Sequence, residues 1–181
     1  MIWHKTAFAF AGLATAGVSL ILVPGLPGGF GAGLALLMAA IAWSDWRDFI
    51  VPDILSGAAF VLGLGAAMIE DGPAIQLLVL SLLRAVLLAA AFLAIRIGYR
   101  ALRGHNGLGL GDVKLAGVGG VWLDWMDWPT MIEIAALAAL AALLIHRVIT
   151  GTALRADTRL PFGLFLAPAI WIAWLVSRSA Q

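Results

Sequence analysis

Long uninterrupted apolar runs constrain this chain more than any other feature. They predict seven helices, near residues 7–26, 31–47, 54–69, 74–97, 112–126, 131–149 and 162–177. A helix needs about 20 residues to cross a bilayer, and backbone polar groups in lipid must be satisfied within each segment. Apolarity is continuous along these runs, whereas the strands of a membrane barrel alternate. The sequence therefore predicts an all-α, polytopic membrane helix bundle with about seven transmembrane helices.

Composition narrows the classes of partner and cofactor. Hydrophobic residues make up 63% of the chain and charged residues 12%, too few to cover a water-soluble surface. A net charge of +1 without basic runs argues against a nucleic-acid partner. The chain has no cysteine, and its three histidines lack ligand spacing. We expect a bilayer as partner, no metal and no cofactor, and the pattern predicts no particular oligomeric state.

The domain organisation is simple. We find no internal repeat, so residues 1–181 are expected to form a single transmembrane domain. The first apolar run could be a cleaved signal peptide, but Pro24-Gly25-Leu26-Pro27 follows it where a small-x-small cleavage site would stand. We therefore expect a retained first helix.

Charged residues divide between the two predicted faces of the membrane. Because the Lys/Arg bias sets orientation, the basic face is predicted to be cytoplasmic, with the longer connections 98–111 and 150–161 on it. The tryptophans at 122, 125 and 128 are expected to form an aromatic belt at the other interface. The basic face carries Lys5, Arg47, Arg96, Arg100, Arg103, Lys114, Arg147, Arg155 and Arg159, and the other carries Glu70, Asp71, Asp124, Asp127 and Arg178.

Two segments at the predicted cytoplasmic edge carry chemistry. Residues 44–53 end the second helix and contain Asp45, and residues 107–115 open the fifth and contain Asp112. Two carboxyls that share a site hold one proton between them. One can then take a proton from water while the other polarises a peptide carbonyl. Helix ends favour the anion at an N-terminus and disfavour it at a C-terminus, which predicts Asp45 as the protonated partner.

Each of these residues also has a simpler explanation. An aspartate at a helix end is usually a cap or a solvated residue, and Asp112 could be the N-cap of the fifth helix. Asp48 is the alternative to Asp45 as the first aspartate of the pair. Its simpler explanation is a solvated residue that pairs locally with Arg47. Lys114 is expected to extend to the interface or to tune the pair of acids.

The two glycines that precede Asp112 are expected to serve the site through their lack of a side chain. Gly109 and Gly111 lack a Cβ, so they would allow unusual backbone angles and a close approach of an extended substrate. The simpler explanation is a flexible connection.

Arg84 lies in the middle of the fourth helix, where a charge is costly. Glu133 is one candidate partner, although its depth matches poorly, and a structural ion pair, an inward water contact and a catalytic role all stay open. A small transporter would use Arg84 and the aspartates along an ion path, and a silent assembly scaffold would need neither aspartate. Both remain alternatives to a hydrolase.

Three ordered motifs resemble those of type IV prepilin peptidases. Residues 109–115, Gly-Leu-Gly-Asp-Val-Lys-Leu, resemble the Gly-x-Gly-Asp signature of that family. Asp45, followed seven residues later by Pro52 and then Asp53, resembles its first motif. Residues 160–163, Leu-Pro-Phe-Gly, resemble a third segment, although Leu164 replaces its final proline. The resemblance makes residues 31–181 a prepilin-peptidase-like core and leaves the helix at 7–26 as an addition.

The resemblance implies a membrane aspartyl endopeptidase with Asp45 and Asp112 as the catalytic pair. Such enzymes remove short basic leader peptides from prepilins and pseudopilins of type IV pili and secretion systems, at the cytoplasmic edge of the bacterial inner membrane. Longer members N-methylate the product and bind zinc through paired cysteines, which are missing here. The chain is thus similar to the compact, peptidase-only form associated with Tad/Flp-type pili. The resemblance makes these residues supporting or substrate-binding: Gly109, Gly111, Lys114, Pro52 and Asp48.

Overall fold

A computed structural model describes residues 2–105, 107–151 and 161–180, with side chains from residue 6 onward. Within these ranges the chain forms helices and no strand, which confirms the predicted all-α membrane bundle. The helices are α1 (Ile2–Leu22), α2 (Leu26–Asp48), α3 (Asp53–Ala67), α4 (Ala74–Arg103), α5 (Leu110–Trp122), a short 3-10 turn (Trp125–Asp127), α6 (Trp128–Thr150) and α7 (Gly163–Ser179).

The helices differ in their capacity to span a membrane. Among the described residues, three stretches are long and apolar enough: Leu26–Asp48, Ala74–Arg103 and Trp125–Thr150. Most of α1, and all of α3 and α7, are shorter apolar helices. The 13 residues of α5 extend about 20 Å, less than the roughly 30 Å of a hydrocarbon core. Residues 115–122 of α5 are all buried, so this helix is surrounded by protein.

The core is built around α5. It packs against α3, α4 and α7, while α2 packs against α1, α3 and α7. A Cβ at Gly120 would lie 2.6 Å from the carbonyl oxygen of Arg84, so the backbones of α4 and α5 touch. A Cβ at Gly31 would lie 1.9 Å from the indole of Trp174, so this side chain of α7 packs directly on the backbone of α2.

The additional first helix packs on the outside of α2. The rings of Phe8 and Trp43 are 5.1 Å apart, and the indole N–H of Trp171 donates to the hydroxyl of Ser19 at 2.9 Å. The predicted end of this helix at residue 26 is wrong. It ends at Leu22, and α2 already begins at Leu26 because proline suits the first turn of a helix.

The connection predicted over residues 98–111 is also shorter than expected. Residues 98–103 continue α4 for more than a turn, since they contain no proline and the single Gly98 is tolerated within the helix. Gly104 has φ 74°, the left-handed conformation that commonly ends helices. Most of the other predicted connection, residues 152–160, lies outside the described residues, as do the side chain of Lys5 and the whole of Arg155 and Arg159.

Antiparallel neighbours give the bundle two ends. The site end is the one where α2 and α4 finish and where α3, α5 and α7 begin. The opposite end carries two ion pairs, Arg84 with Asp124 and Arg178 with Glu70. Arg84 thus forms a structural ion pair, but its partner is Asp124 and not the candidate Glu133, because the connection after α5 brings Asp124 back to α4.

The predicted aromatic belt is wrong at one of its three positions. Trp122 is buried, and its indole N–H donates to the carbonyl of Ala59 at 2.9 Å. Trp125 and Trp128 do lie near the surface and pack on each other with ring centroids 4.8 Å apart. Trp122 is the last residue of α5, and α5 is the most enclosed helix.

Candidate active site

Asp45 lies in the last turn of α2, where the chain bends sharply. Phe49 ends the helix with φ 54°, and the hydroxyl of Ser44 donates to the carbonyl of Ile50 at 2.9 Å. Asp45 itself is only 6% exposed. The backbone N–H of Leu164, in the first turn of α7, donates to its Oδ2 at 2.9 Å. A helix N-terminus from the far end of the sequence thus holds this carboxylate.

Asp112 lies in the first turn of α5 and is 7% exposed. It is not the N-cap, because Gly109 occupies that position. The Asp112 carboxylate reaches back and accepts the Gly109 N–H at 3.0 Å, as the third residue of a capped helix often does. The simpler explanation of Asp112 therefore holds in part, since its side chain does complete the start of α5.

The two carboxylates belong to one site. They are close enough for their charges to act on each other. Val51 lies between the start of α5, which carries Asp112, and the start of α7, which holds Asp45. A Cβ at Gly111 of α5 would be 2.7 Å from Cγ2 of Val51, and a Cβ at Gly163 of α7 would be 3.2 Å from the same atom. Among the residues whose burial is described, Asp45 and Asp112 are the only buried carboxylates.

The other sequence candidates lie around this pair. Asp48 is exposed and pairs with Arg47 at 3.0 Å, as its simpler explanation predicts. Lys114 pairs with Asp53 and so ties α5 to α3. Pro52 caps α3 in the β region, with ψ 133°. None of these three side chains forms a hydrogen bond or an ion pair with the carboxylate of Asp45 or Asp112.

The glycines of the Gly-x-Gly-Asp segment act differently from the expectation. Among the described residues, positive φ angles occur elsewhere, and Gly109 has an ordinary φ of −75°. The prediction of unusual backbone angles is wrong. What matters is the missing Cβ, which at Gly109 would lie 3.1 Å from Oδ2 of Asp112 and at Gly111 would meet Val51.

The structure weakens the argument that Asp45 carries the shared proton. That expectation used only the C-terminal end of α2, on which Asp45 lies. The start of α7 adds a second, opposite influence, because N-terminal amides favour an anion. Both carboxylates therefore receive an amide from a helix start, and Asp45 as the protonated partner remains a prediction.

Sequence reasoning missed two contributors to the site. The Leu-Pro-Phe-Gly segment was recognised, but nothing in it indicated that the amides following it would hold Asp45. Arg96 was counted only as a basic residue of one face, yet its guanidinium donates to the carbonyl of Leu108, just before Asp112. Both contacts join distant parts of the chain, and no local pattern could have identified them.

A concave region lies at the end of the bundle opposite the aspartates. Its volume is about 340 Å³, and Glu70, Arg178, Trp122 and Trp174 line it. Glu70 and Arg178 already pair with each other, so their charges are satisfied. Within the described ranges, no group of three or more His, Asp or Glu side chains could hold a metal. The aspartate pair therefore remains the candidate site of hydrolysis.

By its fold and its site, this chain is a helical membrane protein with two buried, interacting carboxylates. Residues 32–145, more than half of the chain, match the model of the type IV leader peptidase family. The chain belongs to this family and is a peptidase. No curated protein and no solved structure matches it significantly. The matched residues contain Asp45 and Asp112, whereas α1 and α7 lie outside them.

Proposed function

We propose that this protein is an aspartic leader peptidase that cleaves prepilins or pseudopilins through a water molecule activated between Asp45 and Asp112. The observation that carries the proposal is their burial in one site, without another buried carboxylate in the described part of the chain. Together with the family membership, this favours a two-carboxylate hydrolysis.

The chemistry follows from the burial of both acids. In a site of low dielectric, two adjacent carboxylates cannot both ionise cheaply, so one proton is shared. The ionised member takes a proton from water as the water attacks the scissile carbonyl. The protonated member donates to the carbonyl oxygen, and the roles exchange when the amine leaves. The amides of Leu164 and Gly109 keep the two carboxylates oriented during this exchange.

The site end fits a substrate with a basic leader and an apolar segment. The leader is short and basic, and Asp48 and Asp53 are exposed acids at this end whose present partners, Arg47 and Lys114, a basic leader would replace. The scissile bond would lie where the substrate chain enters the membrane, at the level of Asp45 and Asp112. We further propose that this end faces the cytoplasm, in a bacterial inner membrane, on the basis of the Lys/Arg bias.

Processing of a synthetic prepilin in detergent or liposomes tests the proposal. We expect Asp45→Asn and Asp112→Asn each to lose nearly all cleavage, because either change removes the acid–base exchange. The double variant should lose little more, since residues that act as a unit are not additive. Asp48→Asn is the matched control and should retain substantial cleavage.

Three results would change this view. Full activity in either single variant would exclude the two-aspartate mechanism. Loss of activity in Asp48→Asn with retention in Asp45→Asn would move the pair to Asp48 and Asp112. Abolition by a chelator alone would indicate a metal-dependent reaction.

The transporter and the scaffold have less support. A transporter needs charges along a path, but Arg84 is engaged by Asp124 and Ser81 at the opposite end from the aspartates. A scaffold would process no prepilin at all. The same assay therefore separates both from a peptidase.

A further inference from the structure

Arg96 lies on α4, half-buried and outside every motif considered above. Its guanidinium Nη1 donates a hydrogen bond to the carbonyl oxygen of Leu108. Leu108 belongs to the connection between α4 and α5 that leads into Asp112. An arginine at this position would otherwise be explained as a charge that orients the protein in the membrane.

One peptide group joins Arg96 to Asp112. The carbonyl of Leu108 and the N–H of Gly109 are the two sides of the same peptide bond, which is planar and rigid. Its carbonyl accepts from Arg96, and its N–H donates to Oδ2 of Asp112 at 3.0 Å. Hydrogen bonds in series polarise one another, so a cation on the carbonyl strengthens donation by the N–H.

The same face of α4 holds the connection at a second place. Tyr99 lies three residues after Arg96 and therefore on the same side of the helix. A Cβ at Gly107 would lie 2.6 Å from its ring, and the ring of His105 packs edge-on at 5.4 Å. The peptide between Arg96 and Asp112 thus lies against α4, held by Arg96 itself and flanked by the contact of Gly107 with Tyr99.

The charged groups around Asp112 come from three helices besides its own. Asp45 of α2 repels its charge, and Arg96 of α4 attracts it. Asp53 of α3 engages Lys114, the basic residue nearest to Asp112 on α5 itself. The start of α7 contributes amides that are directed to Asp45. Among the described residues, Arg96 is therefore the cation that acts on Asp112.

We propose that Arg96 is a positioning residue of the peptidase reaction, which acts through the Leu108–Gly109 peptide to orient the Asp112 carboxylate and to favour its ionised form. This inference rests on the proposed function, since it assigns Arg96 a role toward one member of the aspartate pair. Arg96 itself touches neither water nor substrate in this scheme.

The test is a pH profile of prepilin cleavage for Arg96→Gln. Loss of the cation disfavours the Asp112 anion, so a higher pH is needed to ionise it and the acidic limb should move upward. A shift of about one pH unit is expected for a nearby charge, with a loss of kcat/KM of about tenfold from poorer orientation. Arg96→Lys retains the charge and should keep the acidic limb in place while the rate falls.

Arg103→Gln is the matched control, since it removes the same charge from an exposed position on the same helix. It should leave both the rate and the pH profile unchanged. Thermal melting in detergent checks that each variant is folded. If Arg96→Gln does not fold, Arg96→Lys decides, because a displaced acidic limb in that variant overturns the proposal.

Two outcomes with a folded Arg96→Gln variant overturn the inference. One is a wild-type rate and profile, and the other is a lower rate with an unmoved acidic limb, which would indicate a purely structural contact. Failure of the proposed function is distinguishable, because Asp112→Asn would then also cleave. An inactive Asp112→Asn beside an unaffected Arg96→Gln removes only the role of Arg96.

Discussion

At the scale of single residues, the site depends on how closely backbone approaches carboxylate. A Cβ placed on Gly163 would lie 2.8 Å from Oδ2 of Asp45, within the distance that real Cβ atoms avoid. The same atom of Asp45 accepts the Leu164 N–H. Gly163 therefore permits the hydrogen bond that orients Asp45, by leaving room for the carboxylate at the start of α7.

Gly163→Ala should disable cleavage while the bundle still folds. The added methyl displaces the Asp45 carboxylate or the start of α7, and a shift of about 1 Å can cost roughly 100-fold in rate. Prepilin processing by the purified variant measures this. Gly57→Ala is the control, since nothing lies within 4 Å of a Cβ at that position. A fully active Gly163→Ala variant would mean that this close approach does not matter.

At the scale of helices, α5 decides where Asp112 lies. Its buried residues contact α4 through glycine, and a Cβ at Gly120 would lie 2.6 Å from both the backbone oxygen of Arg84 and the Cα of Ala85. Backbone atoms cannot move aside as a flexible side chain does. The depth and tilt of α5 are therefore set by this contact with α4.

Gly120→Ala should destabilise the protein by forcing α4 and α5 apart. Insertion of a methyl into a well-packed contact costs about 1–3 kcal/mol, which thermal unfolding in detergent detects as a lower Tm. Gly17→Ala is the control, because a Cβ there meets nothing within 4 Å. Alanine at that half-buried helical site, where its methyl group has room, should raise stability slightly. An equal Tm for the two variants would contradict the close contact.

The ion pair of Arg84 and Asp124 also joins two elements, α4 and the connection after α5. Arg84 has a side chain only 10% exposed, whereas that of Asp124 is 64% exposed. Removal of Asp124 leaves the buried guanidinium with Ser81. Because water can replace part of the lost interaction, the expected cost is about 1 kcal/mol.

Asp124→Asn should therefore lower the Tm modestly and leave prepilin cleavage unchanged at moderate temperature. Asp71→Asn, an exposed acid near the same end, serves as the comparison and should change neither. Abolished cleavage in a folded Asp124→Asn variant would instead connect Arg84 with the reaction.

At the scale of the whole molecule, charge separates the two ends of the bundle. Most of the described basic residues lie at or near the site end, whereas Arg84 and Arg178 pair with acids of the opposite end; those at the site end are Arg47, Arg96, Arg100, Arg103, Lys114 and Arg147. The opposite end also holds acids that pair across helices, such as Glu70 with Arg178. This distribution predicts that the site end is cytoplasmic.

Single cysteines introduced into the cysteine-free chain test this orientation. Arg103→Cys lies beyond the aspartates at the site end, and Asp71→Cys lies in the turn between α3 and α4. In intact cells a membrane-impermeant thiol reagent should label Asp71→Cys and should reach Arg103→Cys only after permeabilisation. Labelling of both from the same side would refute the topology and with it the cytoplasmic site.

The amino-acid sequence is enough to predict the helical class, the approximate helices and the end at which both aspartates lie. Long apolar runs leave few alternatives to a helical bundle, because unsatisfied backbone is too costly in lipid. Consecutive helices alternate in direction, so a residue ending α2 and a residue opening α5 share one end. The spacing from Asp45 to Pro52 and the Gly-x-Gly-Asp segment then indicated which acids to consider.

The contacts between distant groups, in contrast, follow from how the helices pack. Hydropathy does not distinguish a surface that faces lipid from one that faces protein, because both are apolar, so the burial of Trp122 could not be predicted. The contacts of Asp45 with Leu164, Arg96 with Leu108 and Arg84 with Asp124 each join separate helices or loops. They depend on the rotation of each helix about its axis, which close contacts such as Gly120 against α4 determine and which no run of sequence specifies.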